Sequence, residues 1–358
     1  MEEKNSAKFP AFSRLLDLAI SKGASDIHIT VGAHPLLRID GRLLPVTSEP
    51  PLTQERVGNL LSEIAKPEIL EKVKNRLEVD FSFEYKDTRF RTNIYLQKDL
   101  CAASLRLIPS TIKTYAQLGL PPIIEHFASQ SQGLVIITGP TGHGKSTTLA
   151  SMVQKINLER REHIITIEDP IEYLFKGEKS LISQREVGGD TLSFANALRS
   201  ALREDPNVVL IGEMRDLETI ESALIMAETG HLVLTTLHTN SAAQTVDRIV
   251  SVFPSYQQQQ IRSQLASVLV GVMSQRLIPK ISGGRVVAAE VMIANTAIRT
   301  LIRDNKIYQI PNVIQTSASE GMILLDKVLA ELVSRGDVSL EDAMTWSISP
   351  KSLKMMVY

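Results

Sequence analysis

Residues 134–156 read LVIITGPTGHGKSTTLASMVQKI, and the fold class follows from how that stretch is laid out. A short continuous apolar run, Leu134–Ile137, has the form of a strand buried on both faces. Gly139-Pro-Thr-Gly-His-Gly-Lys-Ser146 then satisfies G-x-x-x-x-G-K-[ST] in full, and a helical pattern continues over Thr147–Ile156. Strand, glycine-rich loop and helix in that order make a phosphate cradle. The glycines let backbone N–H groups turn toward phosphate oxygens without a side chain in the way. The helix N-terminus adds a partial positive charge. Lys145 is placed to reach the β/γ phosphates of ATP and the Ser146 hydroxyl to ligate Mg²⁺, while Thr141, Gly142, His143, Gly144 and Thr147 complete the loop. His143, between two glycines, reads as a solvent-facing loop residue.

Further apolar runs at Ile164–Ile167, Val208–Ile211 and Leu232–Leu234 alternate with helical patterns, which predicts a largely parallel α/β sheet. The first of these leads into Glu168-Asp169-Pro170-Ile171-Glu172. Carboxylates at the end of a buried strand face the crevice where open α/β sheets bind ligands. Either one of them orients a water for attack on the γ-phosphate, or the group is an acidic turn capping the next segment. The run Val208–Ile211 ends in Gly212-Glu213, the form of a Walker B element that holds Mg²⁺ or its water. Asp216 is placed to cap the next helix, which stops at Gly230. His231 and His238 stand at opposite ends of the following strand, too far apart to share a metal; each reads either as a hydrogen-bonded structural residue or, for His238, as a group on the phosphate side.

Before this region lies a smaller α+β pattern. A helical stretch over 11–22 precedes strand-like alternation from Asp26 to Ile39, with Asp40-Gly41 as a hairpin turn. Residues 53–74 read as helix interrupted at Pro67, and Val79–Ile108 as strands. Arg89 and Arg91 fall on one side of a strand, where they either point with Arg106 at a shared anion or make surface ion pairs. The domains are drawn at 1–110, a linker at 111–121 (punctuated from Pro109) and 122–358. Beyond about Ala288 the tail reads as mainly helical; in its 297–304 stretch Ile298, Leu301 and Ile302 are apolar, with Arg299 and Arg303 projecting together beside them.

Composition excludes several classes. With 39 Lys plus Arg against 40 Asp plus Glu, the formal charge of −1 disfavours a nucleic-acid partner. The 43% hydrophobic share suffices for packed cores, over a length of 358 residues that suggests two domains or three. The single cysteine, Cys101, rules out an internal disulfide and a multi-cysteine zinc module. Without an apolar run of membrane-spanning length, the chain is expected to be cytoplasmic and to meet a membrane only through a partner.

Taken together, these segments resemble the secretion-superfamily hexameric ATPases, most closely the type IV pilus retraction ATPases. The resemblance covers nearly the whole chain: GASDIH from 23, GPTGHGKSTTLA from 139, ITIEDPIEY from 165, LIGEMRDLETI from 210, TGHLVLTTLHTNSA from 229, RIVSVFP from 248 and AIRTLIRD from 297. It implies a PAS-like N-terminal domain, a RecA-like P-loop ATPase domain with a helical C-terminal region, and a ring of six. It implies Glu172 as general base, Glu213 as Walker B acid, His231 and His238 as a histidine box, and Arg89, Arg91 and Arg106 as arginines that sense nucleotide across the domain interface. It implies Arg299 and Arg303 in a retraction-associated helix, twitching motility as the output, an inner-membrane platform protein as partner, and a second retraction ATPase as a further partner. Alternatives are an accessory retraction ATPase, a pilus-extension or type II secretion ATPase, and a nucleotide-gated assembly module with little turnover. The chain departs from the pattern at His143, where the family usually has serine, and at Thr300 and Asp304, where it usually has asparagine and glutamate. The extension and secretion branches typically carry a four-cysteine zinc insert, which one cysteine cannot supply.

Overall fold

The computed structural model describes residues 12–39, 42–86, 88–108 and 111–357, so the expected turn at Asp40-Gly41 and the break at Pro109 lie outside the described residues. The chain divides into two compact units, residues up to Thr111 with Glu172–Leu174, and Ile112–Ile171 with Phe175–Tyr358.

The first unit is α+β. Its elements run α1 (Ser13–Ser21), β1 (Asp26–Ile29), β2 (Leu36–Ile39), β3 (Arg42–Pro45), α2 (Gln54–Ile64), α3 (Pro67–Arg76), β4 (Glu78–Tyr85), β5 (Thr88–Gln97) and β6 (Leu100–Ile108). The six strands pair antiparallel in the order β3-β2-β1-β6-β5-β4. Alternation in β5 buries Phe90, Thr92 and Ile94 and leaves Arg89 and Arg91 on the other face. Leu15, Leu16 and Ala19 of α1 and Val57, Leu60, Leu61 and Ile64 of α2 close over the sheet's apolar face.

The second unit continues with α4 (Ile123–Ser129), β7 (Gly133–Thr138), α5 (Lys145–Glu159), β8 (His163–Glu168), β9 (Leu181–Glu186), α6 (Phe194–Ala201), β10 (Val208–Ile211), α7 (Leu217–Glu228), β11 (Leu232–Leu237), α8 (Ala242–Ser251), α9 (Gln258–Val268), β12 (Leu269–Pro279) and β13 (Arg285–Ile293). Helices α10 (Thr296–Arg303), α11 (Ile310–Thr316), α12 (Leu325–Ser334), α13 (Leu340–Trp346) and α14 (Pro350–Val357) complete it. The sheet order is β13-β12-β7-β11-β10-β8-β9, parallel throughout except for the edge strand β13. Its apolar runs are shared between two cores by their period of two. Leu134, Ile136, Ile165, Ile167, Val209 and Val233 face one core, against α6 to α10. Val135, Ile137, Ile164, Val208, Leu210 and Leu234 face the other, against α4 and α5. Helices therefore cover both faces, the doubly wound arrangement the apolar runs predict.

Two local readings are corrected. The phosphate-loop helix begins at Lys145 rather than Thr147. The region after Ala288 does not start as helix: Arg285–Ile293 is β13, paired antiparallel with β12 along its whole length. Pairing and burial override the helix preference of Ala288 and Ala289 there. Tyr115, Leu118 and Leu120, in the segment read as linker, pack with Ile124 and Phe127 of α4.

Candidate functional site

Because β7, β8, β10 and β11 are parallel, their C-terminal ends share one edge of the sheet, where open α/β sheets bind ligands. The registers put Ile167 of β8 beside Ile211 of β10, and Thr138 of β7 beside Leu237 of β11. The Thr138 hydroxyl is fastened across to the Leu237 carbonyl at 3.1 Å and the Thr239 carbonyl at 2.8 Å. That contact carries His238 to the phosphate loop.

The loop itself has the geometry of an anion cradle. Gly142 and Gly144 both sit at φ +81, left-handed conformations that side-chain-bearing residues rarely adopt. Helix α5 starts on Gly144 with no side chain capping its first turn. An uncapped N-terminus of a 15-residue helix presents backbone donors and the positive end of its dipole. Lys145 is buried at that point; its Nζ donates to the Gly139 carbonyl at 3.0 Å and the Pro140 carbonyl at 2.9 Å. Ser146 and Thr147 are half-buried in the first turn, and Thr141 is exposed.

Lys145, His238 and Glu213 form one chain. Lys145 Nζ stands 3.5 Å from His238 Nδ1, and His238 Nε2 stands 3.2 Å from Glu213 Oε2. Glu213 is largely buried, and its other oxygen pairs with Arg215. Hydrogen bonding to Glu213, with the charges of Glu213 and Asp169, pushes the Arg215 guanidinium above its usual range. Of the acidic run that begins with the last residue of β8, Glu168 is buried and accepts from the Thr166 hydroxyl at 2.7 Å and the Gln184 amide at 3.4 Å. Glu172 is exposed in the loop beyond it.

His231 lies at the other end of β11. Its Nδ1 sits 2.9 Å from the Met226 carbonyl and 3.1 Å from the Thr229 hydroxyl, as part of the turn that ends α7. Within one copy it takes no part in the phosphate edge.

In the first unit, cross-strand register sets Arg38, Asp26, Arg106 and Arg91 in a row across β2, β1, β6 and β5. Asp26 binds Arg106 Nε at 3.0 Å and lies 3.6 Å from Arg38 Nε. Burial raises the Asp26 pKa, but the hydrogen bonds from Ser25 and Arg106 and the charges of Arg106 and His28 outweigh it and hold the carboxyl below its usual range. Arg89 approaches Glu84 at 3.9 Å.

Two expectations are corrected. Arg299 and Arg303 do not project together: the Arg299 guanidinium donates to the Ala266, Ser267 and Leu269 carbonyls at the end of α9, and Arg303 alone stays exposed. A cation there satisfies carbonyls that the helix leaves without partners. His143 is not a solvent-facing loop residue. It is half-buried, its Nδ1 accepts the Leu277 N–H at 2.9 Å, and its ring meets Trp346 edge-on with centroids 4.5 Å apart.

Those contacts belong to a support that the sequence did not signal. Strand β12 braces the loop from its far side: Gln275 accepts from Thr148 at 2.9 Å and donates to the His143 carbonyl at 2.6 Å. Buried Arg276 donates to the Gln275 carbonyl at 2.9 Å and the Asn240 carbonyl at 3.0 Å. Among the described residues, no cluster of three or more His, Cys, Asp or Glu could hold a metal by itself. No described helix is long and apolar enough to cross a membrane.

The family model for type II/IV secretion system protein matches residues 2–285. The type IV pilus retraction ATPase PilT of Pseudomonas aeruginosa is 48% identical over 332 residues, covering 92% of this chain and 96% of that protein. The type IV pilus ATPase PilU of the same organism is 37% identical, covering 97% and 91%. A crystal structure of the pilus retraction motor PilT with bound ADP superposes with a TM-score of 0.90 at 49% identity, covering 96% of this chain and 98% of that one.

Proposed function

We propose that this chain, which belongs to the type II/IV secretion system protein family, is an ATPase motor that drives disassembly and retraction of type IV pili. The observation that carries the reading is the chain from Lys145 through His238 to Glu213 at the edge of the sheet, in a protein so similar to a retraction ATPase. The backbone donors of 142–147 take the phosphates. A phosphate offers Lys145 charged acceptors stronger than the neutral Gly139 and Pro140 carbonyls it now holds. His238, between Lys145 and Glu213, then registers where the lysine lies.

The Ser146 hydroxyl and the Glu213 carboxylate are the oxygen donors that would hold Mg²⁺ beside the loop. When bound, it neutralises charge on the phosphate oxygens. Glu172 takes the proton from the attacking water. Arg89, Arg91 and Arg106 of a neighbouring copy sense the nucleotide, within a ring of six. His231 belongs to the same histidine box but serves the turn after α7 rather than this copy's phosphates. The division at 1–110, 111–121 and 122–358 supplies two bodies for hydrolysis to move, and a platform protein at the cytoplasmic face of the inner membrane receives the motion. The exposed Arg303 is the part of the retraction-associated helix left available to a partner.

Steady-state ATP hydrolysis and nucleotide binding test the assignment. Lys145→Ala is expected to lose both. Retained nucleotide affinity in that variant would remove the loop from the site, and wild-type chain without turnover would leave a nucleotide-gated assembly module.

A further inference from the structure

The nucleotide reading uses the backbone of residue 143 but not its imidazole. That ring is nonetheless engaged on two sides. Its Nδ1 receives the Leu277 N–H at 2.9 Å, and because a backbone amide only donates, Nδ1 is the unprotonated nitrogen. Its other contact is the edge of Trp346, at an interplanar angle of 64°. Trp346 is itself held firmly. The three residues after it are gathered by the buried Asp326 of α12, which accepts from the Ser347 hydroxyl at 2.8 Å, the Ile348 amide at 2.9 Å and the Ser349 amide at 2.8 Å. Helix α12 in turn contributes Leu325, Leu329, Ala330 and Leu332 to a core shared with Ile278 of β12 and Ala288 of β13. A continuous packed path thus runs from the C-terminal helices to the middle of the phosphate loop.

We propose that His143 and Trp346 form a clasp through which the C-terminal helices set the shape of the phosphate loop, making His143 a positioning residue for the nucleotide. The inference rests on the nucleotide reading above. The charged groups acting on the ring are Arg276 of β12, Lys145 of α5 and Arg285 of β13; burial first, then these three cations, lower its affinity for a proton. Protonation would turn Nδ1 into a donor and break the bond to Leu277, so the clasp holds at neutral pH and opens on acidification.

Trp346 is the chain's single tryptophan, so intrinsic emission reads the clasp directly. ADP is titrated into the full chain, followed by tryptophan emission and in parallel by calorimetry. Emission is expected to change along the same binding curve as the heat. His143→Ser weakens ADP by about fivefold, the worth of one ordinary hydrogen bond, and abolishes the emission change. His143→Asn, whose amide oxygen can accept the Leu277 N–H, recovers most of the affinity and lacks the loss of affinity expected of the wild type when acid protonates an imidazole held below its usual range. Trp346→Phe, which keeps an aromatic edge, binds ADP more tightly than Trp346→Ala. Emission indifferent to ADP that calorimetry shows bound, or His143→Ser with wild-type affinity at every pH, would overturn the clasp. Absence of any ADP binding to the wild type would instead overturn the nucleotide reading beneath it.

Discussion

Gly139→Ala is expected to destabilise the second unit far more than Gly142→Ala, although both glycines belong to the same loop motif. Gly139 sits at φ +142, a region nearly closed to other residues, and forcing alanine into it costs about 1–3 kcal/mol. Its new Cβ would also lie under 3.0 Å from the Gln275 carbonyl oxygen and 3.2 Å from Arg276 Nη1. The Gln275 oxygen is backbone of β12, locked to β7 by the Ser274–Thr138 register, so it cannot swing away. Overpacking against such a neighbour adds about 1–3 kcal/mol, for a total of roughly 2–6 kcal/mol. Gly142, at φ +81, has nothing within 4 Å of the corresponding position, leaving only backbone strain of about 1–2 kcal/mol. Thermal melts of the full chain followed by Trp346 emission report on this unit. At about 2–4 °C per kcal/mol for a unit of this size, Gly139→Ala should melt roughly 5–20 °C lower and Gly142→Ala by only a few degrees. Equal losses, or a larger one at Gly142, would refute the reasoning that the first glycine is required by the strand behind the loop.

Glu172→Gln should bind ATP with unchanged affinity and lose about 100-fold or more in turnover; equal turnover would remove Glu172 as the base. Arg299→Ala should cost about 2–3 kcal/mol in urea unfolding by leaving the α9 carbonyls without their cation, whereas Arg303→Ala should stay within about 0.5 kcal/mol; a pilus defect in the stable Arg303 variant would then report on function rather than folding. Because the folded chain holds the Asp26 carboxyl below its usual range, the unfolded chain binds more protons there in acid. The stability Asp26 contributes is present above the ordinary carboxylate pKa and is lost as pH falls through the depressed value. Asp26→Asn should therefore flatten the acid limb of stability, and an unchanged limb would show that its pairing with Arg106 contributes nothing.

How far the sequence announces this molecule depends on whether a signal is local. The strands β7, β8, β10 and β11 declare themselves as apolar runs because each is buried on both faces, and the loop motif specifies the turn and helix after β7. Glu213 is legible as the residue that terminates such a run, and His238 as the one that closes the next. The edge pair β12 and β13 is not, because an antiparallel ladder closed by Ser282-Gly283-Gly284 is recognised by its partner rather than by its own composition. The same holds for Gln275 and Trp346, which reach the phosphate loop only through contacts more than 100 positions apart. Helical spacing put Arg299 and Arg303 near each other, but it could not show that the α9 carbonyls wait beside only the first.

The most direct test of the central claim is a count of surface pili on cells deleted for this chain, complemented with the wild type or with Lys145→Ala. An ATP-driven retraction motor predicts excess pili, restored to normal numbers by the wild type and not by Lys145→Ala. Bald cells would contradict retraction in favour of extension, and unchanged counts would contradict a motor role in the pilus altogether.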